Sequence, residues 1–409
     1  MIMSILTPEL KAVNEKRAWR NTLRRKICSR ADFANNSQYV HTPYDLCHDM
    51  VERIDQYGSL HAVQTFLTFN LEFVETLCYS MGIEKNKIWF ITECLEKAAV
   101  ARCHPRYEGI NVIYADYLTW IPNMKFDCIV GNPPYNAAQE NDGKRGGGAT
   151  LWQEFVKQSL SLLKENGYLC YVHPCGWRSP TGKFTDTKAL LTSKQIKYLE
   201  IHNAKQGIDT FGVGTRYDWY VLQNQPANGK TIIMGEDGKK YEANLAMLPF
   251  IPNGMFEEIM SLVANEGEER VKVLYDRTDY GSDKKNMSKE QTGKFQYPVI
   301  HAIKKDGLNL LYSNTNENGH FGVPKVVFGR GQSNTFIDFE GKYGLSQDVR
   351  AIVNAPENLD KINKALNNPR FIELSSYCCL ISTGMFIDRY NKDILALFRK
   401  DFWKEFINE

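Results

Sequence analysis

The chain has 409 residues, with 50 Lys and Arg against 48 Asp and Glu and a formal net charge of +2. Near-neutrality excludes binding of a polyanion through global basicity, so any nucleic-acid footprint must be local. The length exceeds a usual single core and points to one domain of roughly 220 residues plus a second.

The ten cysteines form no C-x-x-C pair and several sit in apolar runs, so they read as reduced core thiols rather than a zinc or disulfide set. No apolar run approaches the ~18 residues of a membrane span and no signal-peptide pattern opens the chain, so a soluble, cytoplasmic protein with no membrane partner is expected.

In chain order, residues 1–30 read as a basic N-terminal helix, with Lys16, Arg17, Arg20, Arg24, Arg25, Lys26 and Arg30 at helical spacing. Such a run is either a solvated face or a surface for backbone phosphates. Thr42 reads as an N-cap with Pro43 at the first helical position, followed by an apolar face of Leu46, Met50 and Val51. Leu60 to Glu72 reads as a buried strand and a turn, and Lys87 to Thr92 as a short strand ending at Glu93. An acidic residue there is either an exposed strand end or, in a doubly wound sheet, an acceptor for ribose hydroxyls, although the spacing to the next helix also allows Thr92 that place. Asn111 to Leu118 repeats the strand-then-Asp pattern at Asp116.

The next strand, Phe126 to Gly131, runs straight into Asn132-Pro133-Pro134-Tyr135. The prolines fix φ and remove N–H donors, so the local carbonyls are free to face a ligand. An exocyclic amino group can then donate to the Asn132 side-chain oxygen and the Pro133 carbonyl while the Tyr135 ring stacks on its base. Those two bonds draw the nitrogen lone pair out of conjugation and make it nucleophilic. A plain Pro-rich turn is the alternative, disfavoured by the strand before it and by Asn and Tyr on either side.

This constellation resembles the adenine-N6 DNA methyltransferases of the gamma arrangement, a restriction-modification and phage-type family with an Asn-Pro-Pro-Tyr motif. By motif the resemblance covers about residues 38–225. It implies a Rossmann-like doubly wound α/β sheet, S-adenosyl-L-methionine as cofactor, double-stranded DNA as substrate, and a restriction endonuclease as a partner. Asn132, Pro133, Pro134 and Tyr135 are then the catalytic tetrapeptide holding a flipped adenine. Thr42 and Pro43 correspond to a turn over the cofactor, and Asp116 to the carboxylate that meets the cofactor's adenine ring. The family's Gly-rich loop after the first strand is absent here. Phe69-Asn70-Leu71-Glu72-Phe73 fills the slot, with Asn70 or Glu72 left to bind the methionine amino end. The missing glycines also suit a catalytically silent DNA-binding or partner subunit.

Beyond the tetrapeptide, Gly143 to Gly148 is a flexible basic loop without the Gly-Lys-Ser/Thr of a phosphate-binding loop. Leu151 to Leu163 reads as an amphipathic helix, Gly167 to Val172 as a central strand, and Ile196 to Ile201 and Tyr217 to Gln223 as two later strands. Phe211-Gly212-Val213-Gly214-Thr215 resembles the loop whose aromatic packs on the second face of the flipped base, which makes Phe211 the partner of Tyr135; ordinary core packing is the alternative. After Pro226 polar turns separate short strands, which suit a target-recognition region and equally any small β-rich domain; Lys325 and Arg330 stand out as base or phosphate contacts.

The expected organisation is therefore 1–30 basic helix, 31–226 methyltransferase domain, and 227–409 an α+β target-recognition region. The rival enzymatic reading is methylation of RNA or of a protein glutamine.

Overall fold

The computed structural model describes residues 41–136, 150–275, 279–331, 334–380 and 391–407. The basic stretch 1–30 and the Gly143–Gly148 loop lie outside them. The chain forms two compact units, one of residues 1–173, 190–199 and 218–229, the other of 174–189, 200–217 and 230–409.

In the first unit, α1 (Tyr44–Tyr57) buries Leu46, Cys47, Met50, Val51 and Ile54 along one stripe, the spacing of a helix lying on a core. The following elements are β1 (Phe66–Thr68), α2 (Leu71–Glu75), β2 (Ile88–Thr92), α3 (Leu95–Cys103), β3 (Asn111–Tyr114), β4 (Phe126–Gly131), α4 (Trp152–Leu162) and β5 (Leu163–Pro174). Two later strands, β6 (Lys194–His202) and β7 (Tyr217–Pro226), extend the sheet to the order β3-β2-β1-β4-β5-β7-β6. β1 pairs in parallel with both β2 and β4, and β3 and β5 continue the parallel run on either side. The near-continuous apolar strands follow from that arrangement, because a parallel sheet is covered on both faces. The strand order reverses between β1 and β4, and ligands of such sheets sit outside the carboxyl ends at that switch point.

β5 begins at Leu163, directly from α4, rather than at the expected Gly167. Gly167 does not stop the helix; a Cβ there would lie 2.9 Å from the Asp127 carbonyl, so its absence lets the chain pass close to β4. Asp127 in turn fastens β4. Burial pushes its carboxyl up, but a 2.9 Å ion pair with Lys164 and bonds from Thr65 outweigh this and hold it below its ordinary value.

The second unit holds α5 (Ala204–Phe211), the hairpin of β8 (Thr231–Met234) and β9 (Lys240–Ala243), and α6 (Phe256–Leu262). α5 opens on a capping box between Asn203 and Gln206 and closes on Gly212 at φ 76°. Two four-stranded sheets follow. One contains β10 (Lys272–Leu274), β14 (Lys325–Gly329), β15 (Thr335–Asp338) and β17 (Val349–Val353); the other contains β11 (Met287–Ser288), β12 (Tyr297–Lys304), β13 (Gly307–Ser313) and β16 (Gly344–Leu345). Strand alternation splits their core. Val326, Phe328 and Ile352 pack with Leu359, Ile362 and Leu366 of α7 (Pro356–Asn367), whereas Val327 and Ala351 face Ile300 and Leu345.

Lys325 departs from its expected role as a DNA contact. It is fully buried, with Nζ 2.7 Å from Asp338 Oδ2 and 2.9 Å from the His320 carbonyl. Desolvation lowers its pKa, and Asp338 opposes that. Asp338 also accepts the backbone N–H groups of Lys342 and Tyr343, so the pair ties a loop to a hairpin end. No helix among the described residues is long and apolar enough to cross a membrane, and the described cysteines are free thiols.

Candidate active site

The site forms where β1 and β4 end side by side. Gly131 is the last residue of β4, and a Cβ there would lie 2.7 Å from the Phe69 ring and 3.2 Å from Asn70 Oδ1. Glycine is therefore required, but on β4, facing the loop, rather than within the loop itself. Sequence reading missed this residue; its signal was a Gly placed directly before Asn-Pro-Pro-Tyr.

The close approach permits a bond across the two strand ends. Asn70 Oδ1 accepts the Asn132 backbone N–H at 2.8 Å, and Asn70 Nδ2 donates to the Asn132 carbonyl at 3.4 Å. Asn70 stands at the N-cap of α2 yet makes no side-chain cap bond, because its amide serves Asn132. The Thr68 hydroxyl accepts the Asn70 N–H at 3.2 Å and holds this glycine-free turn in shape.

Asn132 itself is 1% exposed, and its Nδ2 donates to Thr42 Oγ1 at 3.1 Å. This corrects the reading of Thr42 as an N-cap. The cap position belongs to Pro43, α1 starts at Tyr44, and no side chain caps it; the Thr42 hydroxyl receives the Asn132 amide instead. Pro133 and Pro134 are buried and Tyr135 is half-buried. The Tyr135 carbonyl accepts Leu151 N–H at 3.0 Å, which seats it beside the start of α4.

Behind the turn lies an aromatic cluster. Phe69 meets the edges of Tyr117, Phe155 and Tyr171 at centroid distances of 5.0, 5.1 and 5.8 Å. Tyr117 stacks on Phe155 and bonds Ser159 Oγ at 2.6 Å, and burial pushes its phenol up to about 12. Phe69 thus fills with a ring the place where a Gly-rich loop would bring backbone, and rigidity comes from packing.

The remaining sequence-predicted residues are spread along the same edge. Glu72, in the first turn of α2, has Oε1 3.7 Å from His41 Nε2, a neighbour absent from the expected set. Glu93 is exposed just past β2, while the Thr92 hydroxyl before it accepts Cys94 N–H at 3.1 Å. Asp116 is exposed after β3, its carboxylate accepting Leu118 N–H and Thr119 Oγ1–H at 3.0 Å each. Thr42, Asn70 and Asn132 thus form one bonded cluster, and Glu72, Glu93 and Asp116 follow three neighbouring strands. Phe211 belongs to the second unit, where its ring meets the edge of Tyr217 at 4.9 Å.

Residues 73–207 match the Eco57I restriction-modification methylase family. The methylase resemblance carried by Asn-Pro-Pro-Tyr is thereby borne out. A modification methylase, CviBIII, of Paramecium bursaria Chlorella virus NC1A is 30% identical over 163 residues, covering 34% of this chain and 41% of that protein. A tRNA1(Val) (adenine(37)-N6)-methyltransferase of Glaesserella parasuis serovar 5 (strain SH0165) is 35% identical over 105 residues, 24% of this chain and 43% of that protein. The match thus spans less than half the length of either relative. A solved DrdV–DNA complex aligns over 95% of this chain and 59% of that one, with a TM-score of 0.50 at 12% identity, a likeness of fold.

Glu72, Glu93 and Asp116 form a set of acceptors whose chemistry fits S-adenosylmethionine. Its amino group, ribose hydroxyls and adenine amino group are all hydrogen-bond donors, and Glu72, Glu93 and Asp116 are acceptors that follow β1, β2 and β3.

Proposed function

We propose that this chain is a DNA adenine-N6 methyltransferase that uses S-adenosylmethionine and works on a base flipped out of the duplex. The observation that carries the reading is the buried Asn132 amide at the end of β4, bonded to Thr42 through Nδ2, which sets Oδ1 as the acceptor end of the amide. S-adenosylmethionine supplies an electrophilic methyl group on its sulfonium.

Glu72, Glu93 and Asp116 would hold the cofactor along the carboxyl edge. Asn132 Oδ1 and the Pro133 carbonyl accept hydrogen bonds from the two amino N–H groups, which orients the nitrogen lone pair. Tyr135 stacks on one face of the base. The displaced proton passes to water, and no strong general base is required. Burial of Thr42, Asn70 and Asn132 keeps competing water away from the amide.

Residues 227–409 are assigned target recognition. Lys284, Lys285 and Lys289 are exposed around the edge strand β11, where they suit phosphate contacts rather than base readout. A restriction endonuclease is the partner class this reading implies.

Methylation of RNA is a second reading, favoured by the similarity to the tRNA methyltransferase. One experiment separates them: incubate the protein with labelled S-adenosylmethionine and duplex DNA, tRNA or bulk protein, then digest and identify the modified product. N6-methyladenine at one recurring DNA motif supports the proposal. Label only in RNA or protein rejects it, and no measurable affinity for S-adenosylmethionine by calorimetry favours the silent-subunit alternative.

A further inference from the structure

The amide that does the chemistry is held by a residue 90 positions earlier in the chain. We infer that Thr42 is a positioning residue for Asn132, setting the amide's orientation rather than binding the cofactor. The inference rests on the adenine-methyltransferase reading above.

Several observations place the hydroxyl against the Asn132 amide. Thr42 is fully buried, and its Oγ1 lies 3.1 Å from Asn132 Nδ2. Its carbonyl accepts from Cys47 Sγ at 3.8 Å, and the Pro43 carbonyl accepts Cys47 N–H at 3.0 Å. The start of α1 therefore fixes the Thr42 backbone, and a β-branched side chain adds a restricted χ1. Asn70 grips Asn132 from the other side but only through its backbone N–H and carbonyl. The division of labour is clear: Asn70 sets where residue 132 stands, and Thr42 sets how its amide is turned.

Orientation matters because the two ends of an amide are chemically opposite. With Nδ2 committed to Thr42, Oδ1 is presented as an acceptor. An amide turned about χ2 would present donors to a donor, and the amino group would not be gripped. Removing the hydroxyl while keeping the side-chain shape leaves Asn132 in place but lets its amide rotate. The fault then appears in the transfer step and leaves cofactor affinity alone.

The test compares wild type, Thr42→Val and Thr42→Ser by steady-state methyl transfer to duplex DNA, with S-adenosylmethionine affinity measured by calorimetry. Thr42→Val should lose roughly tenfold in kcat, the scale of one hydrogen bond, with cofactor affinity and melting temperature close to wild type. Thr42→Ser should recover most of the rate. Unchanged kcat in Thr42→Val, or a loss confined to cofactor affinity, overturns the inference while leaving the methyltransferase reading standing. A wild type that puts no methyl on DNA adenine overturns that reading and the inference with it. Should Thr42→Val fail to fold, Thr42→Cys against Thr42→Ser makes the same comparison, because a thiol accepts hydrogen bonds weakly.

Discussion

Each unit buries a polar cluster, and the two clusters are built on opposite terms. In the first unit Thr42, Asn70 and Asn132 are neutral, and their bonds run between strand ends and the start of a helix. In the second, Lys325 and Asp338 are charged and face each other in the antiparallel register of one hairpin, bonded to each other and to backbone. The charged cluster is closed upon itself and holds a fold. The neutral one stands at the carboxyl edge of a parallel sheet, where ligands of such folds sit, and its residues include the methylase motif. Burial of polar groups alone therefore does not mark a site; what separates the two is whether the donors and acceptors are spent on local structure.

Stability measurements sharpen this contrast most. Lys325→Met strands the Asp338 charge in the core and should cost about 3–5 kcal/mol in denaturant unfolding, whereas Lys325→Met with Asp338→Leu should recover much of it. Asn132→Ala should cost only about 1 kcal/mol, since one neutral bond is removed. Equal losses at the two positions would remove the distinction.

Gly131→Ala tests the close approach that lets the neutral cluster form. Its new Cβ must displace the Phe69 ring, a change of about 1–3 kcal/mol that Phe69→Leu in the same chain should partly relieve. No destabilisation of Gly131→Ala in a thermal melt would show that the loop has room to yield.

The smaller effects concern surface charge. The Asp127 carboxyl lies below its ordinary pKa, so the stability it gives is present above the unfolded value and lost as pH falls through the folded one. Asp127→Asn should accordingly lower the melting temperature at neutral pH and approach wild type as pH falls through the folded value, so that the acid limb of its plot of melting temperature against pH is flatter; a deficit that does not shrink in acid contradicts the assigned role. On the second unit, replacing Lys284, Lys285 and Lys289 by Gln should weaken DNA binding uniformly across sequences. The salt dependence should become shallower by about one unit of slope for each phosphate no longer neutralised. A salt slope equal to wild type would free these lysines of phosphate contact.

The sequence made the architecture readable where short apolar runs ended in polar residues: β1 to β5 all lie where such runs stand, and Asn132 emerged at once because strand, Asn, Pro-Pro and Tyr are contiguous. What stayed hidden depends on contacts between residues far apart in the chain. Thr42-Pro43 carries the local signature of a cap, and nothing nearby discloses that its hydroxyl serves an amide 90 residues on. Asn70 was legible as a polar residue in the turn after β1, but its contact with the backbone of Asn132 was not, because it requires β1 and β4 to be neighbours. Lys325 beside a strand looked like a DNA contact, since its partner Asp338 meets it only through hairpin register. Phe69 in a glycine-free loop read as a defect in a motif, whereas Gly131 supplies the needed space from the opposite strand.

The most direct test of the central claim is a side-by-side assay of wild type and Asn132→Ala, reading both S-adenosylmethionine affinity and N6-methyladenine formed in duplex DNA. The account predicts that the two proteins bind the cofactor within about twofold of each other, because the Asn132 side chain acts on the base, and that only the wild type forms N6-methyladenine. Asn132→Ala that methylates adenine at a rate near wild type would contradict it.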